Sequence, residues 1–317
     1  MKNKLIYDSD VIGMTVIMVS VILKEHLEAI DNELASLILT ISKTAVGIKE
    51  RLPYMRGIAE TQNIYGELQS ALDLWTDQLF IEEFRKLGLV NKVASEEQKN
   101  LARLNDNGRF FVTSDPLDGS SNLPSNNLVA TIVGVYEKDF YTEGKNQVAA
   151  LYVLYGPVLS LVYTVGEGVH EFLYKPSKKE FILENENKRL PEKGKLCGFG
   201  GSRKAWLPPF RKFAEELEEE GLKVRYSGAF AADINQILHY GGIFAYPALK
   251  EKLYGKGKLR LLFEANPISF VMEQAGGASS NGKRSILEVK PTSLDQRIPI
   301  YVGNENLIKR LERALKG

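Results

Sequence analysis

Polar and apolar positions change their spacing twice along this 317-residue chain. From Glu25 to about Arg51, Leu27, Ile30, Leu34, Leu37, Ile41, Ala45 and Ile48 recur every three or four positions, the period of an amphipathic helix. A second helix reads from Glu67 to Leu87, with Asp73 and Asp77 four apart on one face and Gly88 as its stop. The apolar runs then shorten to strand length: "LVNKVA", "LVATIVGVY", "VAALYVLY", "VLSLVYTV", "VHEFLY" and "EFIL". Turn material at Gly144, Gly156-Pro157, Gly166-Glu167-Gly168 and Pro176-Ser177 separates most of them, and such short separations predict antiparallel hairpins.

After "RLPEKGK", residues 189 to 195, helices and strands alternate. Arg211 to Glu220 reads as a helix closed by Gly221, followed by "KVRY", a helix around Asp233 to Tyr240, "IFAY" and "LRLLF". A further helix runs from Pro267 to Ala275, with Asn266 as N-cap and Gly276-Gly277 as stop. "IPIYV" and a last helix from Glu305 complete the pattern, with no internal repeat and no low-complexity linker. The predicted class is mixed α+β and α/β in two halves. Residues 1–188 hold long helices on a mostly antiparallel sheet; residues 189–317 hold a mixed sheet with helices on its faces.

Composition narrows the function classes. A net charge of +1 creates no long-range field for nucleic acid or an anionic membrane, so neither partner is expected. The stretch "VIGMTVIMVSVIL", residues 11 to 23, is too short to span a bilayer, and no small-residue cleavage site follows before Lys24 and Glu25. It reads as a packed segment. Cys197 is the single cysteine, which points to a reducing compartment, the cytoplasm. His26, His170 and His239 show no metal-ligand spacing, so any metal would be a hard ion held by oxygen.

One stretch carries candidate chemistry: "FFVTSDPLDGSSN", residues 110 to 122. An apolar strand would bring Asp115 and Asp118 to the sheet edge, and two carboxylates there need a partner such as a divalent cation. The Leu117 carbonyl is a further oxygen donor, and Gly119, Ser120 and Ser121 offer backbone N–H groups to an anion. An ordinary turn rich in aspartate and closed by glycine fits these residues equally well. Glu96 and Glu97 in "ASEEQK", and Glu264 after "LRLLF", add carboxylates, though each also suits a solvated helix start.

Taken together, "DPLDGSSN", "SEE", "GKLRLLFEANPISFVMEQAGG" and "RYSGAFAADINQILHYGGIFAYP" resemble the class I fructose-1,6-bisphosphatases, within the lithium-sensitive sugar phosphatase superfamily. The resemblance runs from about Glu33 to Gly303. It implies a layered sandwich of helices and two mixed sheets. It also implies two or more Mg²⁺ ions, with Mn²⁺ as an alternative, held by Glu96, Glu97, Asp115, the Leu117 carbonyl, Asp118 and Glu264. Asp73 would help Glu96 activate the attacking water, and Gly119, Ser120 and Ser121 would cradle the phosphate that is cleaved. Tyr226, Tyr246, Lys258 and Arg225 would grip the sugar and its second phosphate, with Arg225 arriving from a neighbouring subunit of a homo-oligomer, a tetramer in the family. The implied reaction is hydrolysis of the C1 phosphate of fructose 1,6-bisphosphate, a gluconeogenic step. Sedoheptulose 1,7-bisphosphate, a broader sugar or inositol range, and a non-catalytic phosphosugar-binding role are the alternatives.

Two departures from the family pattern stand out. Gly200 and Arg203 in "LCGFGGSRKAW" replace the asparagine and tyrosine of the second-phosphate site; Arg203 would supply charge and the glycine-rich turn backbone donors, unless that turn is merely flexible. At the family's AMP site, Glu33 is kept, but Asp31 and Ala35 replace threonines, and Arg109 and Phe110 replace lysine and tyrosine, so no control by AMP is expected.

Overall fold

The computed structural model describes residues 20–54, 71–250 and 257–316, and the backbone of 61–62 and 68–69. Positions 11–19 of the N-terminal apolar stretch lie outside the described residues. Its end adds to a sheet: Ile22 bridges Ile182, and the Leu183 N–H donates to the Val21 carbonyl at 2.9 Å.

The first predicted helix is broken. Short turns at Leu23–His26 and Leu27–Ala29 lead to an extended Ile30, and α1 then spans Asn32–Arg51. The break falls where Asp31 Oδ1 accepts the Leu34 N–H at 3.0 Å, so a side-chain cap outcompetes the continuing apolar period. Helix α2, Ala71–Leu87, starts four residues later than the periodicity predicts, and Gly88, at φ 75°, ends it as expected.

The predicted strands form as β1 (Val90–Ser95), β2 (Phe110–Asp118), β3 (Ala130–Tyr136), β4 (Ala149–Tyr155), β5 (Leu159–Thr164), β6 (His170–Lys175) and β7 (Glu180–Asn185). With Ala102–Arg103 at one edge they make an eight-stranded sheet in the order β7-β6-β5-β4-β3-β2-β1. All neighbours are antiparallel except β1 and β2. Every residue of β3, β4 and β5 is buried, because helices cover both faces. That explains apolar runs without polar alternation in strands that are nonetheless antiparallel.

The second half supplies β8 (Leu196–Phe199), α3 (Pro208–Glu219), α4 (Phe230–Tyr240), β9 (Gly242–Tyr246), α5 (Asn266–Gln274), β10 (Ala278–Ser280), β11 (Ile300–Gly303) and α6 (Glu305–Lys316). Its mixed sheet is ordered Lys223–Val224, β8, β9, β11, β10. Helices α1 and α2 pack on one face of the large sheet, through Leu37, Ile41 and Phe84 against Val112, Val133 and Leu151. Helices α4 and α5 fill the space between the two sheets, and α3 with α6 covers the outer face of the second. The result is a five-layer α+β sandwich.

A buried ionic network ties the halves together away from the large core. Glu171 on β6, 3% exposed, binds His239 Nε2 of α4 at 2.9 Å and Lys188 Nζ of the connecting segment at 2.9 Å. Burial acts to raise this carboxyl, but His239 and Lys188 outweigh it and hold it down at about 2. A depressed carboxyl stabilises the fold above its unfolded value, and that contribution fades as pH falls from there towards 2. Glu171→Gln is therefore expected to cost roughly 3 kcal/mol at pH 7, by leaving buried charge unpaired. Urea midpoints at pH 7, 4 and 3 should show the gap to the parent protein narrowing as acid is added; a constant gap would mean that the charge of Glu171 contributes nothing.

Candidate active site

Asp115 and Asp118 lie near the end of β2, an interior strand with β1 and β3 on either side, rather than at the sheet edge. The pairing with β3 shifts register between them, a bulge at Pro116-Leu117 where the Thr131 hydroxyl donates to the Pro116 carbonyl at 2.7 Å. Gly119 follows with φ 77°, and a Cβ there would stand 2.5 Å from that of Ala229, so both the turn and the contact between the halves demand glycine. A short 3₁₀ turn, Ser120–Ser125, comes next. Asn122 fastens this turn to the second half by donating to the Ser227 carbonyl at 3.0 Å.

Asp118 does more than its place on β2 suggests. Its Oδ1 accepts the Phe230 N–H at 3.0 Å and its Oδ2 the Ala231 N–H at 2.7 Å, which caps the first turn of α4 from another sheet. Burial pushes its carboxyl up to about 7, against the pull of those two N–H donors.

Glu96 and Glu97 occupy the turn that follows β1, fixed by the Glu96 N–H to the Ser114 carbonyl at 3.0 Å and the Glu97 N–H to Ser95 Oγ at 3.2 Å. Asp73 reaches the same place from the first turn of α2 and is buried. Glu264 arrives by a route that its sequence conceals. Only Leu259–Arg260 of the predicted "LRLLF" strand is extended; Leu261–Ala265 is a π-helical turn running directly into α5. Asn266, expected as an N-cap, is thus inside the helix at φ −62°, and its Nδ2 donates to the Tyr136 hydroxyl at 3.3 Å. The wider π turn aims Glu264 inward, where Oε2 accepts the Arg260 N–H at 2.6 Å.

Carboxylate oxygens of Glu96, Asp115 and Glu264 lie within 4.8 Å of one another. Burial, then repulsion from Glu96, pushes both Asp115 and Glu264 well above the ordinary carboxylate range. Buried Oε2 of Glu96 has no hydrogen-bond partner. Arg260, almost fully buried, forms an ion pair with Glu96. Among the described residues Arg260 is the one buried guanidinium set amid these acidic groups, so repulsion between them persists, and the donors are all oxygen: the residues fit a hard divalent cation.

The opposite wall of the cleft is aromatic and cationic. Tyr226 stacks on Phe244 with ring planes 14° apart, and Lys258 Nζ sits 5.5 Å from the centre of the Tyr246 ring. Arg297 donates to the Lys258 carbonyl at 2.7 Å. Asp73, Glu96, Glu97, Asp115, Leu117, Asp118 and Glu264 thus share one cleft with Gly119, Ser120, Ser121, Tyr226, Tyr246 and Lys258.

Two predicted residues are not brought there. Arg203 stands half-exposed on the outer side, paired with Glu215 of α3 at 2.8 Å, so its charge is neutralised by the next helix rather than directed at the cleft. The neighbouring turn is tied down at Gly200: its N–H donates to the Ala245 carbonyl at 2.8 Å, and its carbonyl accepts from Trp206 Nε1 at 3.0 Å. Its missing side chain makes room for the Tyr246 ring. Arg225 is exposed, hydrogen-bonded to Gln236 at 3.1 Å and set over Tyr240, outside the lining of this chain's own cleft. Sequence reading missed Arg260, Arg297 and Asp233, which do line it. Arg260 had a signal, since it lies two residues beyond Lys258 in an extended stretch and so shares its face.

A layered α+β fold with clustered acidic oxygens facing cationic side chains across one cleft is the apparatus of a phosphatase. Residues 17–186 match the family model described as fructose-1-6-bisphosphatase, N-terminal domain, and residues 190–316 match the model of its C-terminal domain. The chain belongs to the fructose-1,6-bisphosphatase family. It is 42% identical over 292 residues to the class 1 fructose-1,6-bisphosphatase of Methanocorpusculum labreanum, covering 92% of this chain and 90% of the relative. It is 47% identical over 254 residues to that of Geobacter sulfurreducens, covering 79% and 80%. Among solved structures, the holo form of Leishmania major fructose-1,6-bisphosphatase superposes with a TM-score of 0.88 at 30% identity, covering 94% of this chain and 99% of that one.

Proposed function

We propose that this protein hydrolyses the C1 phosphate of fructose 1,6-bisphosphate to fructose 6-phosphate and inorganic phosphate, with Mg²⁺ as its metal. The observation that carries this reading is the one cleft in which clustered carboxylates, with Arg260 among them, face Lys258 and Arg297. Glu96, Glu97, Asp115, the Leu117 carbonyl, Asp118 and Glu264 are the groups that would hold the cation. Bound there, Mg²⁺ would supply positive charge for the developing negative charge of phosphoryl transfer and favour deprotonation of water at neutral pH.

The chain's own groups do the rest. The carboxylates of Asp73 and Glu96 accept the proton of the attacking water. Backbone N–H groups of Gly119, Ser120 and Ser121 hold the phosphate that is cleaved. Lys258 takes the distal phosphate, and Tyr226 and Tyr246 flank the sugar, so binding energy at the far end orients the near one. Arg203 has no part in this. We assign the metal ligands chiefly to residues 1–188 and the sugar-binding residues with Glu264 to 189–317. We also propose a cytoplasmic homo-oligomer, a tetramer, in which Arg225 serves a neighbour's cleft. Its outward position and the exposed Val224 and Tyr240 beside it support that reading. Among the described residues no helix is long and apolar enough to cross a membrane.

Phosphate release with Mg²⁺, with and without EDTA, tests the function. The panel is fructose 1,6-bisphosphate, sedoheptulose 1,7-bisphosphate, inositol 1-phosphate and fructose 6-phosphate. Release from the first alone, lost in EDTA, is expected. Release from several would mean that the turn rebuilt at Gly200, beside Tyr246, broadens the range, and release from none would overturn the reading.

A further inference from the structure

Asp233 lies in the first turn of α4, is 3% exposed and lines the cleft. Its Oδ1 accepts the Ser227 N–H at 2.7 Å and so fixes the loop Ser227–Gly228–Ala229 over the end of β2. Its Oδ2 is equally buried and has no hydrogen-bond partner. A residue whose whole task was to hold that loop would need one oxygen, and burying a second without a donor is costly. Burial pushes the carboxyl up to about 6, outweighing the Ser227 and Gly228 donors that act on it.

The position of this oxygen narrows what could supply the donor. Asp233 stands near enough to Asp118 and to the Tyr226 phenol to raise both by its charge, so it lies between the acidic cluster and the aromatic and cationic wall. It is not part of the carboxylate group that could hold a metal. An ionised carboxylate accepts hydrogen bonds only, and it repels a phosphate. The partner it fits is therefore a neutral O–H donor, placed between two anionic ends. We propose that Asp233 Oδ2 accepts a hydrogen bond from a ring hydroxyl of the sugar and so selects a hydroxylated bisphosphate over one of the same span that lacks hydroxyls. This rests on the sugar bisphosphate reading and adds to it a residue that sets specificity. A site built to bond a hydroxyl rejects a substrate without it far more strongly than an apolar pocket rejects a misfit.

The test compares the parent enzyme with Asp233→Asn, which keeps an oxygen for the Ser227 N–H and replaces the second oxygen with an N–H donor. The KM for fructose 1,6-bisphosphate is expected to rise about tenfold or more, while the Ki of inorganic phosphate, which has no ring hydroxyl, changes less than about twofold. An unchanged KM would overturn the proposal; so would KM and Ki rising together, which would mark a disturbed loop. Should the variant fail to fold by thermal melting, the parent enzyme decides with 1,6-hexanediol bisphosphate as competitor. A Ki at least about tenfold above the KM for the sugar is expected, and equal values would overturn the proposal. A parent enzyme without activity on fructose 1,6-bisphosphate would remove the proposed function and this assignment together, whereas an active parent with an indifferent Asp233→Asn variant would remove this assignment alone.

Discussion

Glu264→Gln is expected to lower kcat about a thousandfold, some 4 kcal/mol of transition-state stabilisation, and at the same time to make the metal-free protein more stable. The two effects have one origin. Glu264 is buried among Glu96, Asp115 and Asp118, and burial followed by repulsion from Glu96 pushes its carboxyl well above the ordinary range, with Arg260 opposing. Its Oε2 accepts the Arg260 N–H at 2.6 Å, a bond that the glutamine oxygen can keep. The substitution thus preserves the backbone contact, removes one repelling charge and puts an N–H donor where a cation needs an oxygen. Melted in EDTA, the variant should gain roughly 1–2 °C, the effect of about 1 kcal/mol on a chain of this length. Steady-state kinetics in Mg²⁺ and a melt in EDTA settle the matter. Full activity would remove Glu264 from the metal ligands, and a variant that is both inactive and less stable would mean that Glu264 serves the fold instead.

Arg260→Met is the complementary case and should be the more damaging to the fold. Arg260 is 3% exposed and forms an ion pair with Glu96. Methionine can occupy the space of the stem but not supply the charge, so the acidic cluster loses a buried guanidinium that offsets it. Removing one partner of a buried ion pair costs about 3–5 kcal/mol. Because the same carboxylates are the proposed cation ligands, Mg²⁺ should restore part of the loss, and more to the variant than to the parent, since added cations relieve the larger excess of negative charge. Urea unfolding across a Mg²⁺ titration measures this. A variant as stable as the parent would mean that the cluster needs no cation from the protein, and an equal Mg²⁺ response in both would separate Arg260 from the metal site.

Much of this arrangement is local and was legible for that reason. The short apolar runs between Val90 and Asn185 are strands because their length, β-branched content and closely spaced turns leave little else for them to form. Asp115, Pro116, Leu117, Asp118 and Gly119 lie within a few residues of one another, so their meeting at one strand end needs only that strand. The errors share a cause as well. "LRLLF" has a strand's composition, but the chain must pass from the strand pair with Arg297–Ile298 straight into α5, and a π turn does so while turning Glu264 inward. The family pattern sets Arg203 at the second-phosphate position, and only the placement of α3 shows Glu215 beside it. The long first helix was broken by a single cap at Asp31, whose carboxylate, with that of Glu33, also holds Arg109 at 2.7 and 3.0 Å.

What the sequence by itself determined is the set of elements, the split into a helix-covered antiparallel sheet and a mixed one, and the carboxylates around Asp115 and Asp118, since periodicity, turn chemistry and short motifs act over a few neighbouring positions; Asp73, Tyr226, Tyr246 and Lys258 came from the family resemblance. What only the tertiary structure decided is which of those residues meet and in what state. Asp118 caps a helix that begins at Phe230, Arg260 neutralises a glutamate from another strand's end, and Asp233 is left with one buried oxygen that has no partner. Each of these depends on burial and on charges more than a hundred residues apart, and electrostatic interactions in a low-dielectric interior follow distance in space, to which the order of residues along the chain is blind.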